Sequence, residues 1–221
     1  MNGGHDLGGM HGLGSINPEP ETSEPVFHAQ WEQRVFALTL TSGFLGRWNL
    51  DMSRFARERQ HPANYIANSY YENWLAGLLT LLDEQALVTK AELAAGRTQT
   101  LDTAVRVLEA SQVSKTLGRG SPATLPVPAV PLYSVGDTVR VRNFHPQGHT
   151  RAPRYVRGHT GVVQRHHGGH IFPDAHADGV KTGQHLYSVR FTAQELWGIE
   201  RKDIICLDLW ESYLNYPDRM P

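Results

Sequence analysis

Cysteine is almost absent from this sequence. Cys206 is the only one in 221 residues. No disulfide can form within the chain, and the chain cannot build a thiolate cage for a metal by itself. Also missing is an unbroken apolar run of the length a membrane helix needs. The opening residues, Met1-Asn-Gly-Gly-His-Asp-Leu-Gly-Gly-Met10, have neither the basic stretch nor the apolar stretch of a secretory signal. These absences lead to the expectation of a soluble protein of a bacterial-type cytoplasm with no membrane partner. Strong charge is lacking too. Lys and Arg number 21 against 22 Asp and Glu, for a net charge of −1. A nucleic-acid partner, which calls for a marked basic excess, is therefore not expected. No internal repeat is visible.

What is present suits a globular chain with a core: 40% hydrophobic and 9% aromatic residues. Residues 1–30 are expected to form an extended arm, because Gly12, Gly14, Pro18, Pro20 and Pro25 break any period. Leu7, Met10, Leu13 and Ile16 give that arm apolar contacts to offer. Helical spacing then runs over 31–118, first through Trp31, Val35 and Leu38. Asp51 is expected to cap a short helix reaching Arg59, and Pro62 to open the next at its first turn. One long apolar helix is expected from Tyr65 to Leu82. Thr89 and Glu92 form a capping box. A fourth helix is expected over about 100–115, through Leu101, Val105, Leu108 and Val113.

The pattern then changes. Pro122, Pro126, Pro128 and Pro131 mark a stiff linker over 119–132. From Tyr133 the period becomes two, as in Val135-Gly-Asp-Thr-Val-Arg-Val141. Gly161-Val-Val, Leu186–Phe191 and Asp203–Leu209 read as further short strands. The fold class is α+β: an arm and a helical domain, then an SH3-like β-barrel over 133–221. Charge divides mildly, with a net of −3 over 1–132 and +2 over 133–221. Between Thr138 and Pro173 there are six arginines and no acid.

Four groups of residues carry potential chemistry. His149-Thr-Arg-Ala-Pro-Arg-Tyr-Val-Arg157 holds three arginines at three-residue intervals. Arginine suits planar, bidentate recognition of anions and keeps its charge when buried. Pro153 and Tyr155 are expected to hold the run nearly extended. The alternative is a solvated loop whose arginines bind nothing in particular. Arg54 and Glu58 stand four apart on one helix face, which by itself suggests a weak surface pair. Tyr70, Tyr71 and Trp74 read first as core. Adjacent tyrosines cannot face the same way, however, so one hydroxyl is expected to line a cleft or an interface. His159, His166, His167, His170, His176 and His185 match no metal spacing, and His-His-Gly-Gly-His reads as a polar hairpin tip. No metal site is assigned to this chain.

Several stretches together resemble the β subunit of nitrile hydratase: His5-Asp-Leu-Gly-Gly-Met10, Asn17-Pro-Glu-Pro, Glu24-Pro-Val-Phe-His-Ala-Gln-Trp-Glu32, Arg34-Val-Phe-Ala-Leu38, Tyr70-Tyr-Glu-Asn-Trp74, Gly148-His-Thr-Arg-Ala-Pro-Arg-Tyr-Val-Arg-Gly158 and Asp208-Leu-Trp-Glu-Ser-Tyr-Leu214. The resemblance runs from end to end. It implies an enzyme that adds water to a small nitrile to give an amide. It implies a low-spin non-haem iron or non-corrin cobalt held by an α subunit in a Cys-x-x-Cys-Ser-Cys loop with two oxidised thiolates, in an αβ or α₂β₂ assembly. No cofactor would be bound by this chain alone.

By the same resemblance Arg54 and Arg157 pair with the oxidised cysteines, Arg157 ahead of Arg151 and Arg154. Glu58 orients Arg54 or a water. Leu50, Phe55, Tyr70 and Trp74 line the substrate channel, and His149, Arg151, Arg154 and Tyr71 lie at the interface. Asn73 departs from relatives that carry histidine there. Two rivals stand beside this reading. One is a thiocyanate hydrolase subunit on the same scaffold. The other is an SH3-like RNA-binding module, which the near-neutral charge opposes.

Overall fold

The structure is a computed structural model that describes residues 2–99, 107–198 and 200–217. The chain divides into two compact units. One gathers Gly3–His5 and Met10–Gly120; the other gathers Asn2, Asp6–Gly9 and the chain from Ser121 onward.

The first unit is helical. Its helices are α1 (Gln30–Gly43), α2 (Leu50–Glu58), α3 (Pro62–Ala67), α4 (Tyr70–Glu84), α5 (Lys90–Ala95) and α6 (Ala110–Arg119). Asn49, not Asp51, caps α2. Its side-chain oxygen accepts from the amides of Asp51 at 3.0 Å and Met52 at 2.9 Å. Asp51 instead lies in the first turn, where a carboxylate faces the positive helix end. The long apolar helix expected over 65–82 is two helices, α3 and α4, because the chain turns extended at Asn68 and Ser69. Glu72 reaches back to the Ser69 amide at 2.7 Å and starts α4 afresh. The Thr89–Glu92 capping box opens α5 as expected. Leu101 and Val105 of the expected fourth helix lie outside the described residues, and α6 begins only at Ala110.

Val35, Ala56, Leu78 and Leu81 are the buried apolar residues that hold this unit. Helix α2 lies close against α4 because Gly77 has no side chain. A Cβ there would fall 2.4 Å from Cγ of Arg57. With that space clear, the Arg57 guanidinium lies over the Trp74 ring at 4.5 Å.

The second unit carries β1 (Thr138–Val141), β2 (Thr160–Ile171), α7 (Pro173–Ala177), β3 (Gly183–Thr192), α8 (Ala193–Trp197), β4 (Ile204–Trp210) and β5 (Leu214–Asn215). All pairings are antiparallel, in the order β4-β3-β2-β1-β5. The sheet is open, with β4 and β5 at its two edges, so its hydrogen bonding does not close the expected barrel. Alternation is clean in β1, where Val139 and Val141 are buried between exposed neighbours. With Val163, Tyr187, Val189, Phe191 and Leu209 they form the core.

The His-His-Gly-Gly-His stretch is not a hairpin tip. It continues β2, which absorbs it through register shifts at Val163/Arg165 and His166/Gly168. The proline-rich segment is bonded to this sheet. Leu125 donates to the Gly169 carbonyl at 3.0 Å, and Ile171 donates to that of Ala123 at 2.8 Å. No helix among the described residues is long and apolar enough to cross a membrane.

Candidate functional site

Helix α2 presents Leu50, Arg54, Phe55 and Glu58. Arg54 turns back to Asp51, donating to its carboxylate at 2.9 Å, and does not turn forward to Glu58. The helix geometry allows either partner, and the Asp51 carboxylate is the nearly buried one. Asp51 is 8% exposed in its side chain and Arg54 is 38% exposed. Among the described residues, Arg54 meets its acceptor through Nη1, so Nε and Nη2 of its fork remain as donors on an accessible side chain. Glu58 acts on the charges of Arg57 and Tyr65 instead.

Tyr70, Tyr71 and Trp74 come together on α4. Their ring centroids lie 5.1 to 5.8 Å apart, and Phe27 and Phe36 extend the cluster. Tyr70 and Leu50 stay largely exposed, at 67% and 58%. Burial pushes the Tyr71 hydroxyl above its ordinary range, and Tyr70 adds to the rise. Asn73, which stands where relatives of the resembled family carry histidine, has a structural role. It fixes the α3–α4 junction, donating to the Tyr65 carbonyl at 3.0 Å and accepting from Gln60 at 3.1 Å.

The 149–158 run is not extended. After Pro153 it makes one 3-10 turn over Arg154–Val156. His149 and Arg157 are buried, at 2% and 6%, while Arg151 and Arg154 are exposed. The Arg157 guanidinium is committed inside the unit. Its Nε and Nη2 donate to the Ala152 carbonyl at 2.9 and 2.8 Å. Its Nη1 reaches Asn2 Oδ1 and His145 Nδ1, each at 3.3 Å. Asp6 completes the set at 3.4 Å from Nη2, with side chains 7% and 2% exposed. Burial lowers the arginine's pKa from its ordinary value, and Asp6 opposes that shift.

Asp6 also accepts the Arg154 amide, at 3.0 and 3.1 Å to its two oxygens. Gly8 and Gly9 let this N-terminal segment lie flat on the turn. A Cβ on Gly8 would sit 2.4 Å from the Tyr155 ring. The sequence places residues 5–10 in an extended arm and carries no sign of this role. An acid 148 residues away from its amide leaves no local signal.

Beneath the turn lies a second polar group that the sequence did not reveal. Tyr213 is 2% exposed. Its hydroxyl donates to Asp174 in a very short bond and accepts the Arg151 amide at 3.2 Å. Burial drives the pKa of Tyr213 far up, and the nearby Asp174 charge adds to it. Burial raises Asp174 as well, against the Tyr213 hydrogen bond, which lowers it.

Two of the histidines, His166 and His185, are hydrogen-bonded to each other, and His167 bonds to Ser188. His185 Nε2 lies 2.7 Å from the Ala129 carbonyl, which can only accept. A neutral His185 that donates from Nε2 accepts at Nδ1 from His166 Nε2, 3.1 Å away. Among the described residues, no three His, Cys, Asp or Glu converge in a way that could hold a metal ion.

Comparison with known proteins gives the family. The family model described as nitrile hydratase beta subunit, N-terminal, matches residues 1–122. Its C-terminal counterpart matches residues 122–216. Nitrile hydratase subunit beta of Pseudomonas putida is 41% identical over 219 residues, covering 97% of this chain and 99% of that one. Cobalt-containing nitrile hydratase subunit beta of Pseudonocardia thermophila is 39% identical over 233 residues, covering 99% and 97%. The low-molecular weight cobalt-containing subunit beta of Rhodococcus rhodochrous is 37% identical over 226 residues, covering 97% and 99%. A solved thiocyanate hydrolase apo-enzyme from Thiobacillus thioparus has a TM-score of 0.41 at 24% identity, over 50% of this chain and 98% of that one, a likeness too slight to bear on function. With both halves matched and near-complete relatives at this identity, the chain belongs to the nitrile hydratase β-subunit family, whose enzyme is a lyase that hydrates nitriles to amides.

Proposed function

We propose that this chain works beside an α subunit, in an αβ or α₂β₂ assembly of the cytoplasm, and that the α subunit holds the metal. The cobalt-containing names of two relatives support cobalt as that metal, with iron the alternative that the resemblance implies. In the assembly the metal supplies Lewis acidity. This chain's part is to bind, orient and shield. The α-helical domain over 31–118, the proline-rich connection over 119–132 and an SH3-like sheet domain over 133–221 divide that work. The register shifts that bend β2 support the SH3-like reading.

The observation that carries the reading is the unequal state of the arginines. Sulfinate and sulfenate oxygens buried at an interface need fixed cationic donors. Arg54 has donors left and is accessible. Arg151 and Arg154 are exposed on a turn whose backbone is tied down. Arg157 has its fork committed within the chain, which makes it the brace of that turn. We therefore assign Arg54 and Arg151 to the oxidised cysteines, with Arg154 at the interface and His149 packed behind. Leu50, Phe55, Tyr70 and Trp74 form the channel wall toward a small nitrile, Tyr71 supports it, and Glu58 tunes the charge of α2.

Co-expression with a nitrile hydratase α subunit tests this. Lysine keeps the charge and loses the planar fork. Arg54→Lys and Arg151→Lys should each lower amide formation on the order of tenfold or more with the complex intact. Arg157→Lys should chiefly lower stability. Full activity in both of the first two variants would overturn the assignment.

A further inference from the structure

The exposed Arg151 side chain stands on a backbone that is not free to move, and one buried hydroxyl does much of the holding. Tyr213 lies in the 3-10 turn Glu211–Tyr213 between β4 and β5. Its ring is wedged against Phe144 at 5.6 Å, Phe172 at 5.7 Å and Trp210 at 6.1 Å. Its own carbonyl accepts the Arg142 amide at 2.8 Å. Neither the ring nor the backbone can shift without disturbing the core. At the ring's far end the hydroxyl gives its proton to Asp174. An oxygen whose proton is directed to Asp174 turns its lone pairs elsewhere, and one of them receives the Arg151 N–H at 3.2 Å. Thr150, the neighbour of Arg151, hydrogen-bonds to the same Asp174–Tyr213 pair through its side chain.

We propose that Tyr213 is a positioning residue for Arg151: its hydroxyl, aimed by Asp174, fixes the backbone from which the Arg151 fork reaches the partner subunit. This rests on the assignment of Arg151 made above. Preorganisation of this kind matters because a guanidinium displaced by about 1 Å loses a large part of its effect on a reacting centre. The ordering is then already in place before the partner arrives, and binding does not have to supply it.

The test uses the assembled enzyme and measures kcat, KM and metal content. Tyr213→Phe keeps the wedged ring and removes only the hydroxyl. It should lower kcat about tenfold, with metal content unchanged and KM altered less than kcat. Asp174→Asn still offers an oxygen to the Tyr213 hydroxyl and should stay within about twofold of the parent. Asp174→Ala removes that acceptor and should resemble Tyr213→Phe, which gives a second route if the tyrosine variant folds poorly. Combined with Arg151→Lys, Tyr213→Phe should add less than about a twofold loss, since both act through one side chain. A fully active Tyr213→Phe enzyme, or losses that multiply independently in the double variant, would overturn the proposal. So would an Asp174→Asn enzyme as impaired as Asp174→Ala. A fully active Arg151→Lys enzyme would remove the Arg151 assignment itself, and this inference with it.

Discussion

Helix α2 and the 149–158 turn each carry an arginine beside an aspartate, and the two pairs are built for opposite ends. Arg54 meets Asp51 one helical turn away, and its side chain is 38% exposed. Arg157 meets Asp6 from the far end of the chain, and its side chain is 2% exposed. On α2 the aspartate steadies a cation that keeps donors for something else. In the turn, the carboxylate, two carbonyl contacts and two polar neighbours use the guanidinium up. The same residue type is therefore an accessible donor in one place and internal scaffolding in the other. Burial and donor accounting separate them, and sequence spacing does not.

Removing each carboxylate should measure that contrast most directly. Asp6→Ala leaves a buried cation without its countercharge and the Arg154 amide without its acceptor. It should cost about 3–5 kcal/mol in chemical denaturation. Asp51→Ala removes a helix-end charge and a pair half open to water. It should cost about 1 kcal/mol by the same measurement, after allowance for solvent screening. Equal losses would erase the distinction.

Titration gives a smaller effect confined to the sheet unit. Burial first, then the neighbouring His185, lowers the pKa of His166 below 6.5, while Glu211 opposes and His167 adds slightly. A base whose folded pKa is depressed contributes stability that is complete above about 6.5 and is lost as pH falls through the folded value. Melting temperature should therefore drop on acidification below neutrality, and His166→Asn should flatten that drop. Smallest of all should be Glu84→Gln. Its bonds to Arg59 are 2.6 Å, yet the side chains are 42% and 33% exposed. Under about 1 kcal/mol is expected, which would confirm that a short distance alone does not make a strong pair.

Local devices were legible in advance. Thr89 and Glu92 announced α5 because a capping box needs only four residues. Val139 and Val141 announced β1 because alternation is a property of neighbours. The break between α3 and α4 was missed although Ser69 and Glu72 have capping-box spacing. The apolar rhythm through Ile66, Tyr70 and Trp74 continued across it and hid the signal. The histidine stretch misled through its glycines, which absorb irregular register in β2 and do not reverse the chain. Of the candidate site, the residue types and the two arginine stretches could be read. The different burial of Arg151, Arg154 and Arg157 could not, because the turn is held by Asp6 and Tyr213. Those partners lie about 150 and 60 residues away from the turn they hold.

That separation has a consequence for how the protein is made. Asp6 is synthesised well before its partners, and the amide and guanidinium it binds are 148 and 151 positions later. At ordinary bacterial synthesis rates the wait is roughly 10–30 seconds. Helices built from near neighbours, such as α2 and α4, can form as they emerge. The sheet unit must close its longest loop last, and loop closure of that span slows folding. During that interval residues 6–9 are without their partners in the turn. A partner chain or a chaperone that held them would delay completion of the arginine turn without touching it.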